Sequence, residues 1–234
     1  MKRVSLLVLI LVLAPSVLFA QREIVKNQPY ADMKLYHLGF HVGVHAQDMV
    51  ITHSGNMTEN GEVWFAEIPS YSPGFSVGVI GEMYLNPYFS LRATPTLHFG
   101  DKSFTFREKA TGEEFITTVR SNYVTLPLSV KYSALRLNNY RPYLIGGIYG
   151  SMDIGRKKGN PLLMKGVDFG FEIGIGCDIY LSYFKLCPEL KFSFGMLDML
   201  EKDRSDLVDV GMLKYTDAIK KLTSRMVVLT FNFE

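Results

Sequence analysis

The sequence predicts an all-β fold: an eight-stranded antiparallel up-and-down β-barrel of the transmembrane kind. Three observations predict it. Apolar and polar residues alternate with period two through eight segments. The connections between segments are short and long by turns. The polar side of the zigzag mixes glycine with charged and histidine side chains, as a narrow enclosed lumen requires.

The first segment, Tyr36 to Gln47, sets Leu38, Phe40, Val42, Val44 and Ala46 against His37, Gly39, His41, Gly43, His45 and Gln47. The second, Gly74 to Leu85, sets Phe75, Val77, Val79 and Met83 against Ser76, Gly78 and Glu82. The third, Phe89 to Phe99, opposes Leu91, Ala93 and Leu97 to Arg92, Thr94, Thr96 and His98. In the fourth, Asn122 to Ser133, Val124, Leu126, Leu128 and Val130 oppose Tyr123, Thr125, Ser129 and Lys131. The fifth, Tyr140 to Asp153, is apolar on both sides, so its facing stays open. The sixth alternates from Val167 to Ile179, with Asp168, Gly170, Glu172, Gly174, Gly176 and Asp178 on its polar side. The seventh carries Lys185, Cys187, Glu189, Lys191 and Ser193 opposite Phe184, Leu186, Leu190, Phe192 and Phe194. The eighth places Val227, Leu229, Phe231 and Phe233 on one face.

Short connections fall at Asn86-Pro87-Tyr88, around Leu135 to Asn139, and at Ser182-Tyr183. Long ones run from Asp48 to Ser72, Gly100 to Ser121, Ile154 to Gly166 and Gly195 to Ser224. Two of these hold patterns of their own. Lys102 to Arg107 and Glu114 to Arg120 alternate about Ala110-Thr111-Gly112, as an extended hairpin would; Tyr215 to Leu222 reads as two helical turns, with Ile219 and Leu222 covering the barrel mouth. A plain loop is the alternative in both places. Pro95, Pro127, Pro142 and Pro188 fall inside predicted strands. A closed barrel has no free edge for a missing N–H, so bulges or broken pairs are expected there.

A soluble barrel alternates too, with its apolar face inward. The glycines of the polar face (Gly39, Gly43, Gly78, Gly170, Gly174, Gly176) decide between them. A water-facing strand surface gains nothing from residues that weaken strands, whereas a crowded lumen needs them. The apolar side is therefore expected to meet outer-membrane lipid.

Residues 1–20 read as a signal peptide, with Lys2 and Arg3 before an apolar run and Ala20 at the cleavage site. An uncleaved anchor is the alternative, but the run falls short of the roughly 20 residues that span a bilayer. Residues 21–35 are then a periplasmic N-terminal segment and 36–234 the barrel, in the outer membrane of a Gram-negative bacterium. The formal charge of +2 vanishes once Lys2 and Arg3 leave, which removes any electrostatic case for nucleic acid. Hydrophobic residues at 47% and charged residues at 21% exclude a disordered chain. Cys177 and Cys187 fall on opposite faces of neighbouring strands and are expected to be free thiols.

His37, His41 and His45 share one face and resemble a metal cluster, but strand positions four apart lie about 13 Å from each other. A lumen hydrogen-bond network that includes His98 is the expected role. A three-residue connection that pairs Leu85 with Phe89 also puts Glu82 opposite Arg92, both inward. Lys131, Asp168, Glu172, Asp178, Lys185, Glu189 and Lys191 point inward on the same reading. Buried charges must be paired, so these residues are expected to form the packed polar core of the barrel; an ion path is the alternative. No nucleophile elbow, phosphate loop or paired C-x-x-C is present, so no catalytic residue, cofactor or metal is assigned.

Ser121-Asn122-Tyr123-Val124-Thr125-Leu126-Pro127-Leu128, then Arg141-Pro142-Tyr143-Leu144-Ile145-Gly146-Gly147, resemble the PorT family of outer-membrane barrels of the Bacteroidetes. The resemblance continues through Tyr183-Phe184-Lys185-Leu186-Cys187-Pro188-Glu189-Leu190-Lys191-Phe192-Ser193 and the stretch from Ala218 to Glu234. It implies a component of the type IX secretion system that supports export of cargo to the cell surface, with other secretion-system proteins as partners. A filled eight-stranded barrel passes no folded cargo, so an accessory scaffold is the expected role. A general surface barrel, acting as a small-solute channel or adhesin, is the alternative, and a barrel enzyme a third.

Overall fold

A computed structural model describes residues 25–55, 63–67, 72–109, 112–155, 162–203 and 213–234. The expected signal peptide lies outside the described residues. Twelve strands are present among those residues: β1 (Tyr36–His53), β2 (Trp64–Glu67), β3 (Ser72–Tyr84), β4 (Phe89–Ala93), β5 (Thr96–Phe99), β6 (Asp101–Glu108), β7 (Glu114–Arg120), β8 (Tyr123–Ser133), β9 (Tyr140–Asp153), β10 (Val167–Tyr180), β11 (Lys185–Gly195) and β12 (Ile219–Phe233). One short helix, α1 (Leu213–Asp217), precedes the last strand.

Valine, isoleucine and aromatic side chains at alternate positions favour extended backbone and leave one face apolar. The main sheet runs β1-β12-β11-β10-β9-β8-β4-β3-β5 with its neighbours antiparallel, and β1 pairs with β3 as well as β12, so the sheet closes on itself. Strands β4 and β5 share one stave, which makes eight staves around the ring. The apolar face points out: Leu144, Ile148, Ile173 and Ile175 are each more than half exposed. No helix among the described residues is long and apolar enough to cross a membrane, which says nothing of crossing by strands.

The three short turns lie at one end, the turn end. In the β8–β9 turn Asn138 takes the left-handed conformation (φ 54°), which asparagine tolerates, while Leu137 and Tyr140 exchange two backbone hydrogen bonds of 2.9 Å. Residues 25–35 fold across this end as a strap. Asn27 N–H donates to Asn139 Oδ1 (2.8 Å) and Gln28 Nε2 to the Leu181 carbonyl (2.9 Å). The Arg136 guanidinium donates to the Asn27 carbonyl and to the Gln28 carbonyl at 3.2 Å.

A second layer covers the loop end. The pairing of β5 with β8 continues in the same register through Ser121 N–H to the Gly100 carbonyl (2.8 Å) into the β6–β7 ladder. The expected hairpin is thus an outward extension of the barrel wall. Strand β6 also pairs with β2, giving a three-stranded sheet. Phe104, Phe106, Trp64, Leu162 and Leu200 are buried with Met49, Ile219 and Leu222 in an apolar core at this end.

Four expectations need correcting. Strand β1 runs to His53, beyond Gln47, because it keeps its partner β12 outside the lipid-facing band. The helix expected over Tyr215 to Leu222 stops at Asp217; Ile219 and Leu222 belong to β12, whose ladder with β1 outcompetes a helix there, although both side chains are still buried at the barrel mouth. Strand β2, inside the presumed 48–72 loop, was not foreseen. The prolines divide. Pro95 interrupts its stave between β4 and β5, and β10–β11 pairing lapses beside Pro188 between the pairs Gly176–Glu189 and Ile179–Leu186. Pro127 and Pro142 lie in unbroken strands without a register shift. At Pro142 the reason is visible: the Ala134 carbonyl, deprived of a proline N–H, accepts from Arg141 Nε at 3.0 Å.

Candidate functional site

The inward face of the barrel carries the polar half of each alternation, and it is filled. At its centre Arg92, on β4, is almost wholly buried and lies opposite Glu82 on β3 in the ladder. Its Nε donates to Glu82 Oε2 (2.8 Å), Nη1 to Glu189 Oε2 (2.9 Å) and Nη2 to Glu234 Oε1 (2.7 Å). Lys131, on β8, reaches Asp178 at 2.8 Å and Glu82 at 3.5 Å. Lys185 meets Glu234 at 2.5 Å and Asp178 at 4.0 Å. Lys191 lies 3.3 Å from Glu189 and 3.9 Å from Glu172. Ser90 and Ser129 donate to Glu82 (2.8 Å) and Glu172 (2.7 Å). Every one of these ions has an opposite charge beside it, which offsets the desolvation that burial costs.

Toward the loop end the charges give way to an aromatic belt. His41 shares a 3.1 Å hydrogen bond with Thr96 Oγ1, and His98 one of the same length with Thr125 Oγ1. His45 and His98 rings meet edge to face at 5.0 Å, and Tyr123 stacks on His98 at 4.7 Å. Above them Asp168 accepts from Ser224 Oγ at 2.5 Å and from Phe169 N–H at 2.8 Å.

The lumen glycines are sockets for these side chains. A Cβ on Gly78 would lie 2.5 Å from the His41 ring, and one on Gly74 2.2 Å from His45. On Gly176 it would meet the Tyr143 ring at 2.3 Å, and on Gly195 Asp168 at 2.4 Å. Small residues on one strand therefore admit large ones from its neighbour.

Of the residues singled out from the sequence, Glu82, Arg92, Lys131, Asp178, Lys185, Glu189, Lys191 and Glu172 come together in one connected group. His41, His45 and His98 form the belt, and Asp168 stands apart near the apolar core. His37 lies opposite Glu82 in the β1–β3 ladder, half-buried at the turn end, and its Nε2 is 2.8 Å from the Ala31 carbonyl. Among the described residues no three His, Cys, Asp or Glu side chains are arranged to hold a metal ion. Cys187 is buried and Cys177 half-buried, and both are free.

Two members of the group were missed. Tyr143 donates to Glu189 Oε2 at 2.7 Å, and its ring lies under Lys131 Nζ at 4.2 Å. Strand β9 is apolar on both sides, so alternation gave no facing; its pairing of Tyr143 with the inward Gly176 does. Glu234 follows the outward Phe233, and parity alone would have placed it inside.

The spaces left over are small. A cavity of about 40 Å³ lies between Tyr123, Tyr149 and Asp168, and one of about 20 Å³ beside His41 and His98. Each has room for a few waters at most. Among the described residues, the apolar core lies above this polar interior and the strap below it.

The model of the family described as outer membrane protein beta-barrel domain matches residues 19–201. No curated protein matches the chain. Among solved structures, the Neisserial surface protein A shares 9% identity over 85% of this chain and 98% of its own, with a TM-score of 0.43. The outer membrane protein OprG of Pseudomonas aeruginosa shares 11% over 83% and 93%, with a TM-score of 0.47. The attachment invasion locus protein Ail of Yersinia pestis shares 10% over 86% and 99%, with a TM-score of 0.37.

Proposed function

The chain belongs to the outer membrane protein beta-barrel domain family, resident in the outer membrane of Gram-negative bacteria, and we propose that it works there as a scaffold rather than as a conduit or an enzyme. The observation that carries this reading is the filled lumen: among the described residues the ion-paired group around Arg92 occupies the cross-section, and the two cavities above it measure about 40 and 20 Å³. A barrel of eight staves is just wide enough for its own side chains. Its useful surfaces are then its two ends and its lipid-facing wall.

The finer assignment rests on the segments from Ser121 to Leu128, Arg141 to Gly147, Tyr183 to Ser193 and Ala218 to Glu234, which resemble the PorT family. On that resemblance the barrel is an accessory of the type IX secretion system, in contact with other secretion-system proteins and supporting export of cargo to the surface. The segment from Gln21 to Leu35 offers a further periplasmic contact, but not as a separate arm. From Val25 onward the chain is instead tied to its own turns by Asn27, Gln28 and Asp32, so the strap and the turns together make the periplasmic face that a translocon meets.

Deleting the gene and measuring surface display of type IX cargo tests the assignment: display falls, and crosslinking in intact cells captures secretion-system proteins on the turn end. Normal display in the deletion strain overturns it. A surface adhesin is the second reading, favoured by the three-stranded sheet outside the wall; it predicts that deletion lowers adherence and leaves cargo display intact.

A further inference from the structure

The lipid-facing wall is not uniformly smooth. On β12, side chains at odd positions from Thr223 to Phe233 point outward. Ala46 pairs with Val227, and Val227 with Phe192; one pair further toward the loop end, Asp48 faces Arg225, and Arg225 faces Phe194. The small Ala46 and Val227 form the floor of a groove whose wall is Phe192 and Phe194, with a cavity of about 150 Å³. Arg225 closes it at the loop end. Its side chain is half exposed, and Nη2 lies 4.0 Å from Asp48 Oδ2. At that distance Asp48 orients the guanidinium without using up its five donors.

Depth selects the occupant. Arg225 is eight residues along β12 from Phe233, whose ring stacks on Phe40 at the turn end. At about 3.3 Å per residue and a tilt near 40°, that is roughly 20 Å up the barrel, near the upper edge of an apolar band about 25 Å tall. A lipid-facing arginine is tolerated there far better than at the midplane. Toward the loop end the outward side of β12 continues with Thr223 and the exposed Lys221. The turn end of an outer-membrane barrel faces the periplasm, so the groove opens on the outer leaflet, whose lipid is a phosphorylated, multiply acylated glycolipid.

We propose that the Ala46–Val227 groove and Arg225 form a binding site for that glycolipid: one acyl chain lies on Ala46 and Val227 against Phe192 and Phe194, and a phosphate accepts hydrogen bonds from the Arg225 guanidinium. The chemistry is complementary at both ends. A planar guanidinium matches a phosphate with two parallel hydrogen bonds, and an acyl chain fills a trough that rigid side chains leave open. Such a site would fix the barrel in the outer leaflet whichever reading of its function holds.

The test is native mass spectrometry of the full chain, released from bilayers of phosphatidylethanolamine doped with bisphosphorylated lipid A. The wild type retains a lipid A adduct. Arg225→Gln lowers its occupancy about tenfold, the size of one charge-assisted contact. Ala46→Phe, which fills the groove and leaves the guanidinium, lowers it as well, and Leu144→Ala on the far wall does not. Dephosphorylated lipid A binds the wild type no better than it binds Arg225→Gln. The proposal fails if Arg225→Gln keeps the adduct, or if the wild type retains only phosphatidylethanolamine.

Discussion

Arg92 holds three carboxylates at once, on strands β3 and β11 and at Glu234. Among the described residues no other side chain meets as many carboxylates, and Arg92 is buried where water cannot replace it. Removing it leaves Glu82, Glu189 and Glu234 crowded with less countercharge, so Arg92→Gln is expected to destabilise the barrel by about 3–5 kcal/mol. Urea unfolding in lipid vesicles measures this. Adding Glu82→Gln recovers part of the loss, since the two residues are directly coupled. Glycines give a matched pair. A Cβ on Gly147 would come within 2.2 Å of the Leu128 carbonyl oxygen, a backbone atom that cannot turn aside, whereas one on Gly150 meets nothing within 4 Å. Gly147→Ala is expected to cost about 1–3 kcal/mol and Gly150→Ala less than about 0.5 in the same assay. At this scale the sequence was legible wherever alternation was clean: the Glu82–Arg92 pair follows from turn length and parity alone. Tyr143 was not legible, because neither side of β9 is polar and its facing depends on a neighbour's register.

The elements separate into those that alternation specifies and those that only a partner specifies. The eight staves are of the first kind, since each carries its own two-residue period. Strand β2 is of the second: Trp64–Glu67 is four residues long and becomes a strand by pairing with β6. Helix α1 ends early for the same non-local reason, the ladder of β12 with β1. The apolar core at the loop end offers a direct probe, because Trp64 is the single tryptophan of the chain. It is buried edge-on to Tyr215, with ring centroids 5.1 Å apart. Its fluorescence is expected to be blue-shifted and poorly quenched by acrylamide, and Tyr215→Ala to shift it red and open it to quencher. The strap at the other end depends on Asp32, which meets Arg141 at 3.0 Å and Arg136 at 3.5 Å and accepts from the Tyr180 hydroxyl. Tyr180 is buried and the Arg136 and Arg141 side chains are nearly so, so Asp32→Ala, which takes an acceptor from all three, is expected to cost about 1–3 kcal/mol. Hydrogen exchange should rise across residues 25–35 while the barrel strands keep their protection.

As a whole the molecule is a wall with a solid interior. Because charged side chains pack the inside of an eight-stranded barrel, the purified protein is expected to show no stable open state in a planar bilayer. Steady, ion-selective steps would mean that the salt-bridged group opens. The orientation of the wall was legible from the glycine-and-charge side of the strands, since only an enclosed face needs sockets. The layer beyond the membrane was half legible: the β6–β7 hairpin follows from its alternation, but the packing of Trp64, Phe104 and Leu200 joins distant loops that carry no common pattern.

The ring is shut by the ladder from Phe40–Phe233 to His53–Ile219, which unites the two strands farthest apart in the chain. Neighbouring hairpins zip locally and early, but this last seam must wait for both of its halves, and contacts between remote segments form slowly. Until then β1 and β12 each present an unpaired edge that invites misjoining with other chains. Closure of the barrel therefore joins the two ends of the chain, and any sheet that has not yet closed exposes both margins.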